Sequence, residues 1–322
     1  MMPLLAVFGA TGTGKTDLAL RIADRLPCHL ISCDAVQVYR DLRAATAKPR
    51  GAENRHPWAM ISVVEADRAI NLGEWVRMAE AEARWAWSSG RLPVVVGGTG
   101  LYLRGLVKGV AKAPPRDDAV RARLTSLADK HGTRFLHRVI TRLDPKTAEG
   151  LMPGDRQRLI RALEVVVSGL SLRELQGEGW RGPDRFDVLR IGLRLPREVL
   201  YTRLDARVEA FFRDGLSAEC RWLLERRRLP PTAHAWKAIG YRDLLDRLEG
   251  RSAGGEEEMI RRVQQSTRRY AKRQETWFRG ESPTQWFDPE HEATERTVLE
   301  LSRKLWRNGL REAGEKNAPG RI

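Results

Sequence analysis

The chain has 322 residues, 42% of them hydrophobic and 31% charged, and its 57 Lys+Arg against 42 Asp+Glu give a net charge of +15. This balance excludes a disordered or fibrous protein and a disulfide-stapled miniature, and it leaves one large domain or two ordinary ones. The cationic excess fits a polyanionic partner or a merely basic enzyme equally well.

Leu4 to Phe8 form a short continuous apolar run ending in a Gly-rich turn, and Asp17 to Leu26 then carry helical periodicity. The chain therefore opens as strand, loop, helix. His29 to Cys33 predict a second buried strand, Asn71 to Trp87 a helix, and Leu92 to Val96 a strand running into Gly97-Gly98. Such alternation implies a parallel sheet covered on both faces. The texture changes at Ala113-Pro114-Pro115-Arg116-Asp117-Asp118, and from there to about Gln176 helical periodicity runs without a strand. Phe186 to Leu195 read as a strand returning to the sheet. Pro196 then opens an amphipathic helix carrying Leu200, Leu204, Val208, Phe211 and Phe212. Gly254-Gly255-Glu256-Glu257-Glu258 form a loop into a last strong helix, and the polar residues from Asn308 onward predict a frayed tail.

Cys28, Cys33 and Cys220 show no CxxC or metal spacing and read as reduced thiols, and the six His include no HExxH pattern. The apolar start is too short for a signal segment, and no run approaches the roughly 20 apolar residues of a membrane span. A cytoplasmic protein is expected.

Gly9-Ala10-Thr11-Gly12-Thr13-Gly14-Lys15-Thr16 match GxxxxGK[ST] between the first strand and the first helix. Backbone N–H groups of such a loop wrap an anionic phosphate, the helix N-terminus adds its dipole, Lys15 supplies a point charge, and Thr16 can reach a Mg²⁺. The predicted fold is thus α/β, a P-loop NTPase-like core with a parallel sheet flanked by helices, plus an all-helical insertion domain and C-terminal helices. The core covers residues 1–112 and 184–250, the insertion 113–183, the basic C-terminal helices 251–307, and the tail 308–322.

An NTPase usually places a second acid at a strand end to help hold Mg²⁺. Here the third strand ends Val94-Val95-Val96-Gly97-Gly98-Thr99 without one, and the nearest strand-end carboxylate is Asp34. Strand C-termini line the ligand crevice in parallel sheets, so Asp34 and Thr99 should face the phosphate loop. From position alone, Asp34 could be a metal ligand, a general base or a helix cap.

Further blocks follow in order: Ser32-Cys33-Asp34-Ala35-Val36-Gln37-Val38-Tyr39, Thr46-Ala47-Lys48-Pro49, Val95-Val96-Gly97-Gly98-Thr99-Gly100-Leu101-Tyr102, Asp155 to Val165, Ala238-Ile239-Gly240-Tyr241-Arg242 and Lys272 to Arg279. Together with the phosphate loop they closely resemble the tRNA dimethylallyltransferase family, in register to about residue 290. The resemblance implies transfer of the dimethylallyl group from dimethylallyl diphosphate to N6 of the adenine immediately 3′ of the tRNA anticodon, with Mg²⁺ assisting. The loop, residues Gly9 to Thr16, would then hold an isoprenoid diphosphate rather than ATP, and the net charge would serve a tRNA. The chain departs from the family at Arg40-Asp41-Leu42-Arg43-Ala44-Ala45, where a Gly-Met-Asp-Ile-Gly-like stretch is usual. It departs again at Arg55-His56-Pro57-Trp58, where more His are usual.

By the same resemblance Asp34 is the general base, Arg207, with Arg203 one turn earlier, is the cation on the departing diphosphate, and Thr13 and Thr16 bind its oxygens, Thr16 also near Mg²⁺. The tRNA would meet Asp34, Ala35, Val36, Gln37 and Thr99, the helical block Gln157, Arg158, Leu159, Ile160 and Arg161, then Lys237 and Arg242. The target adenine must be flipped out of its stack, with Tyr39 and Tyr102 lining the path or packing in the core. At 100° per residue, Arg261, Arg268, Lys272 and Arg279 fall on one line of the last strong helix, with Arg262, Arg269 and Arg273 beside them. Ile260, Val263, Tyr270, Trp277 and Phe278 lie opposite. The cationic stripe, Arg269, Lys272, Arg273 and Arg279 above all, would track tRNA phosphates. A monomer without membrane contact is expected. An adenylate isopentenyltransferase and a phosphate-loop kinase are the enzymatic rivals; the helical insertion and the basic C-terminal half disfavour the first.

Overall fold

The computed structural model describes residues 1–49, 56–110, 114 and 117–317. The chain forms two compact units, Met1–Val107 with Asp184–Ile322, and Lys108–Pro183.

The larger unit is built on a sheet of β1 (Pro3–Gly9), β2 (Cys28–Cys33), β3 (Trp58–Ala59), β4 (Leu92–Gly97), β5 (Asp187–Leu193) and β6 (Gln285–Phe287) in the order β3-β2-β4-β1-β5-β6. All pairings are parallel, with Val7 facing Val96 in β4 and Ile191 in β5. Alternate residues of β1 serve opposite faces. Leu4, Ala6 and Phe8 join one core with Trp75, while Leu5 and Val7 join another with Leu18, Ile22 and Val298. Both faces are dry, which is why these strands read as unbroken apolar runs.

The helices of this unit are α1 (Lys15–Ala23), α2 (Leu72–Ser88) and α3 (Gly100–Lys108), which reaches the unit boundary. In the smaller unit follow α4 (Asp118–His131), α5 (Thr133–Leu143), α6 (Pro145–Ala148), α7 (Arg156–Val167) and α8 (Leu172–Arg181). The larger unit resumes with α9 (Arg197–Arg213), α10 (Leu216–Glu225), α11 (Tyr241–Leu248), α12 (Glu256–Phe278) and α13 (Ala293–Asn317). Asn71 caps α2 by accepting the Glu74 N–H at 2.9 Å, and Pro196, with its fixed φ, precedes α9 as expected. The smaller unit packs Leu136, Ile140, Leu159 and Leu163 into one apolar core, and the buried Glu164 carboxylate accepts from Arg121 at 2.8 Å.

β3 and β6 were not predicted, because two and three residues carry no readable period; the sheet edge defines them. Residues 308–317, expected as tail, continue α13, since Gly309 lies against Pro3 and Trp87 and the N-terminal amine donates to Glu312 at 2.6 Å. Residues 318–322 and the boundary expected between 112 and 113 lie outside the described residues, as does Arg55. Cys28, Cys33 and Cys220 are free thiols. Among the described residues no helix is long and apolar enough to cross a membrane.

Candidate active site

The C-terminal ends of β1, β2 and β4 open onto a cavity of about 520 Å³, walled on the far side by α9 and α12. It is lined by Thr11, Gly12, Gly14, Lys15 and Thr16 of the phosphate loop, Asp34 and Gln37 after β2, Gly97 and Gly98 after β4, and Arg203 and Arg207 of α9. The sheet thus brings together residues separated by nearly two hundred positions, as strand C-termini do in parallel sheets.

The loop takes its shape from Gly14, whose φ of 74° lies in the left-handed region. Lys15 Nζ donates to Ala10 O at 2.6 Å. Burial pushes its ammonium down to about 7 from an ordinary 10.5, the neighbouring positive Arg207 adds to the effect, and Asp34 opposes it. Burial likewise lowers Arg207, while Asp34 and Asp17 draw it back up. Two cations and a carboxylate therefore share one cavity with few water-exposed neighbours, an arrangement suited to a polyanionic group. Thr13 differs from expectation: it is buried, and its hydroxyl donates to Ala10 O at 2.9 Å instead of lining the cavity.

Asp34 Oδ1 accepts the N–H of Val36 at 2.8 Å and of Gln37 at 3.1 Å, closing a turn that holds the carboxylate rigidly. Its Oδ2 has no hydrogen-bond partner among the described residues. The Ala35 N–H donates to Thr99 Oγ1 at 3.1 Å. Gln37 is committed to the protein, accepting from Ser32 Oγ at 2.8 Å and donating to the carbonyls of Thr46 and Ala47 at 3.2 and 3.1 Å. It thereby fixes residues 46–49, the Thr46-Ala47-Lys48-Pro49 block, as a cavity wall. Tyr39 is buried, and Tyr102 stacks on Trp75 with ring centroids 4.6 Å apart, so both belong to the core.

The block Gly97-Gly98-Thr99-Gly100 has a steric reading that no sequence pattern announces. A Cβ on Gly97 would stand 2.1 Å from Cys33 O, one on Gly98 2.1 Å from Gln274 Nε2, and one on Gly100 2.1 Å from Trp277 Cδ1. Gln274, which sequence reasoning did not single out as a site residue, is buried and lines the cavity. Its one available signal was an amide on the packed face of a helix otherwise lined by apolar and small residues.

The cationic face of α12 is reduced. Arg268 is turned to Asp205 on α9 at 2.5 Å, Arg262 pairs with Glu258, and Arg261 lies 3.7 Å from Glu257. Arg269, Lys272, Arg273 and Arg279 remain exposed and, among the described residues, outside any ion pair. Lys237, at the end of a short 3₁₀ turn, and Arg242 are exposed too, with Arg242 3.2 Å from Asp246. In the smaller unit Gln157 and Arg158 are exposed, Arg158 lying 3.3 Å from Asp155, and Arg161 reaches Glu164 at 3.4 Å. Leu159 and Ile160, expected to meet tRNA, are buried in that unit's core, because a helix turns every third or fourth side chain inward.

Residues 37–281 match the family described as IPP transferase, and residues 2–57 match the one described as Isopentenyl transferase. A tRNA dimethylallyltransferase of Anaeromyxobacter dehalogenans is 40% identical over 93% of this chain and 98% of its own. The chain belongs to the tRNA dimethylallyltransferase family. Among solved structures, the full-length tRNA isopentenylpyrophosphate transferase of Bacillus halodurans superposes with a TM-score of 0.71 at 29% identity, over 98% of this chain and all of that one. A eukaryotic dimethylallyltransferase acting on tRNA gives a TM-score of 0.78 over 96% of this chain and 80% of that one; at 22% identity it speaks to the fold alone.

Proposed function

We propose that this chain transfers the dimethylallyl group from dimethylallyl diphosphate to N6 of the adenine immediately 3′ of the anticodon in tRNA, releasing diphosphate, in the cytoplasm. The observation that carries the reading is the pairing, in one cavity, of the Asp34 carboxylate, with one oxygen anchored and the other free, with Lys15, Arg207 and the phosphate loop. In the reaction the N6 lone pair forms a bond to the allylic carbon as the carbon–oxygen bond breaks. The electron pair leaves with the diphosphate, and the N6 proton passes to Asp34 Oδ2. An exocyclic amine is a poor nucleophile, so a fixed base and prearranged cations are what the step requires.

A divalent ion fits this site in one way only. Among the described residues no group of three or more His, Cys, Asp or Glu could hold a metal. The Thr16 hydroxyl at the cavity wall matches a Mg²⁺ that keeps several waters and is bound chiefly by the substrate's own phosphate oxygens. Bound there, Mg²⁺ would supply charge neutralisation of the leaving group. The tRNA reading of the exposed Arg269, Lys272, Arg273 and Arg279 is supported by their clustering on one helix without acidic partners.

The test is incubation with tRNA, free adenine nucleotides including ATP, Mg²⁺ and labelled dimethylallyl diphosphate. Label is expected in tRNA; label in free nucleotide alone, or ATP turnover without transfer, refutes the reading. Asp34→Asn keeps shape and removes the base, and single-turnover transfer should fall by at least about 10² with tRNA binding retained. Undiminished transfer by that variant would remove Asp34 from the base role.

A further inference from the structure

The amide of Gln274 on α12 makes two hydrogen bonds to the ends of two strands. Its Oε1 accepts the N–H of Thr11, in the middle of the phosphate loop, at 2.9 Å, and its Nε2 donates to the carbonyl of Gly98 at 2.8 Å. The residue is 5% exposed. We propose that Gln274 is a positioning residue that sets the phosphate loop from α12, and that the Thr11 N–H is the anchor of that loop rather than one of its donors to the diphosphate.

A primary amide offers an acceptor and a donor on one rigid plane. A carboxylate of the same length lacks the donor, an ammonium lacks the acceptor, and a thioether lacks both in useful strength. Gly98 completes the device, since any side chain there would occupy the place of the amide nitrogen. A buried pair of this kind is costly to break, because the two backbone groups would be left unsatisfied. One turn earlier on α12, Tyr270 lies beside the Thr99 side chain, whose Oγ1 accepts the N–H of Ala35 next to Asp34. One helix therefore fastens the loop facing the leaving group and lies beside the turn presenting the carboxylate. Displacement at carbon is sensitive to that spacing, and errors of about 1 Å can cost two orders of magnitude in rate.

The inference rests on the functional reading above for the identity of the anion. Gln274→Met keeps the length and removes both bonds. Inorganic diphosphate, titrated calorimetrically with Mg²⁺, should bind about tenfold more weakly to this variant, and the KM for dimethylallyl diphosphate should rise with it. The Kd for tRNA should stay at the wild-type level, because the exposed cations of α12 are untouched, while the melting temperature should fall modestly, because two buried backbone groups lose their partner. Gly98→Ala, which displaces the amide while leaving Gln274 in place, should give the same signature, and the double variant should be no worse than the weaker single one. Unchanged diphosphate affinity in either variant overturns the proposal. So does an equal loss of diphosphate and tRNA affinity, which would make Gln274 an ordinary packing residue. Absence of dimethylallyl transfer by the unaltered protein would count against the functional reading and leave the loop result standing.

Discussion

Replacing Lys15 by Met should make the chain more stable and unable to hold its anionic substrate. The folded protein prefers the neutral amine: its pKa is pushed down to about 7, whereas the unfolded chain binds the proton up to about 10.5. Stability therefore rises with pH between those values, and the penalty for the charged amine is fully present below about 7. At about 1.36 kcal/mol per unit, the penalty at neutral pH has an upper bound of about 4 kcal/mol, and the residue's partial access to water brings it nearer 2 kcal/mol. Losing the hydrogen bond to Ala10 O offsets about 1 kcal/mol of the gain. A net stabilisation of about 1 kcal/mol remains, or roughly 1 to 2 °C in melting temperature for a chain of this size. Denaturant melts at pH 7 and pH 9 should show the advantage of the Met variant shrinking as pH rises. Bound diphosphate restores the charged amine, so at pH 8 wild-type binding should take up a proton that the variant's residual binding, weaker by at least about tenfold, does not. Calorimetry in buffers of different ionisation enthalpy reads that proton. A Met variant less stable than wild type at pH 7 would refute the assignment of Lys15 as a strained cation.

Arg207→Ala should slow the chemical step in single-turnover assays by about 10² while leaving tRNA affinity at its wild-type value. Neutralising Arg269 and Arg273 together should weaken tRNA binding and flatten its salt dependence by about one unit of slope for each phosphate left without its cation, with diphosphate affinity unaltered. Gly97→Ala sets a Cβ against Cys33 O where β2 and β4 pair, and should cost about 2 to 3 kcal/mol in a denaturant melt.

Four of the six strands were legible because burial on both faces writes them as apolar-rich runs, and the phosphate loop because its glycine spacing follows the first of them. Lys15 and Asp34 were legible as well, in motifs tied to strand and helix ends, whereas Arg207, in the middle of α9, followed from the family resemblance alone. Thr13 was not, since its spacing is the same whether its hydroxyl points to a ligand or to Ala10 O. Arg268 lay on the correct arc of α12, but Asp205, the partner that withdraws it, belongs to another helix. The role of Gln274 was hidden for the same reason, its partners Thr11 and Gly98 being 263 and 176 residues away. Such contacts exist only once the sheet is closed, and no local period encodes them.

The position of β5 has a consequence for how the chain acquires its structure. The first strand made, β1, lies inside the sheet, yet one of its two neighbours comes from residues 187–193, beyond the whole Lys108–Pro183 unit. During synthesis the nascent sheet presents a bare, apolar β1 edge until that strand emerges from the ribosome. Early collapse of the intervening helices, whose contacts are local, would shorten the loop to be closed and lower its entropic cost. Ribosome-bound chains long enough to have released Pro183 but not β5 from the exit tunnel should therefore be protease-resistant in the helical unit while the first hundred residues remain sticky and dependent on chaperones.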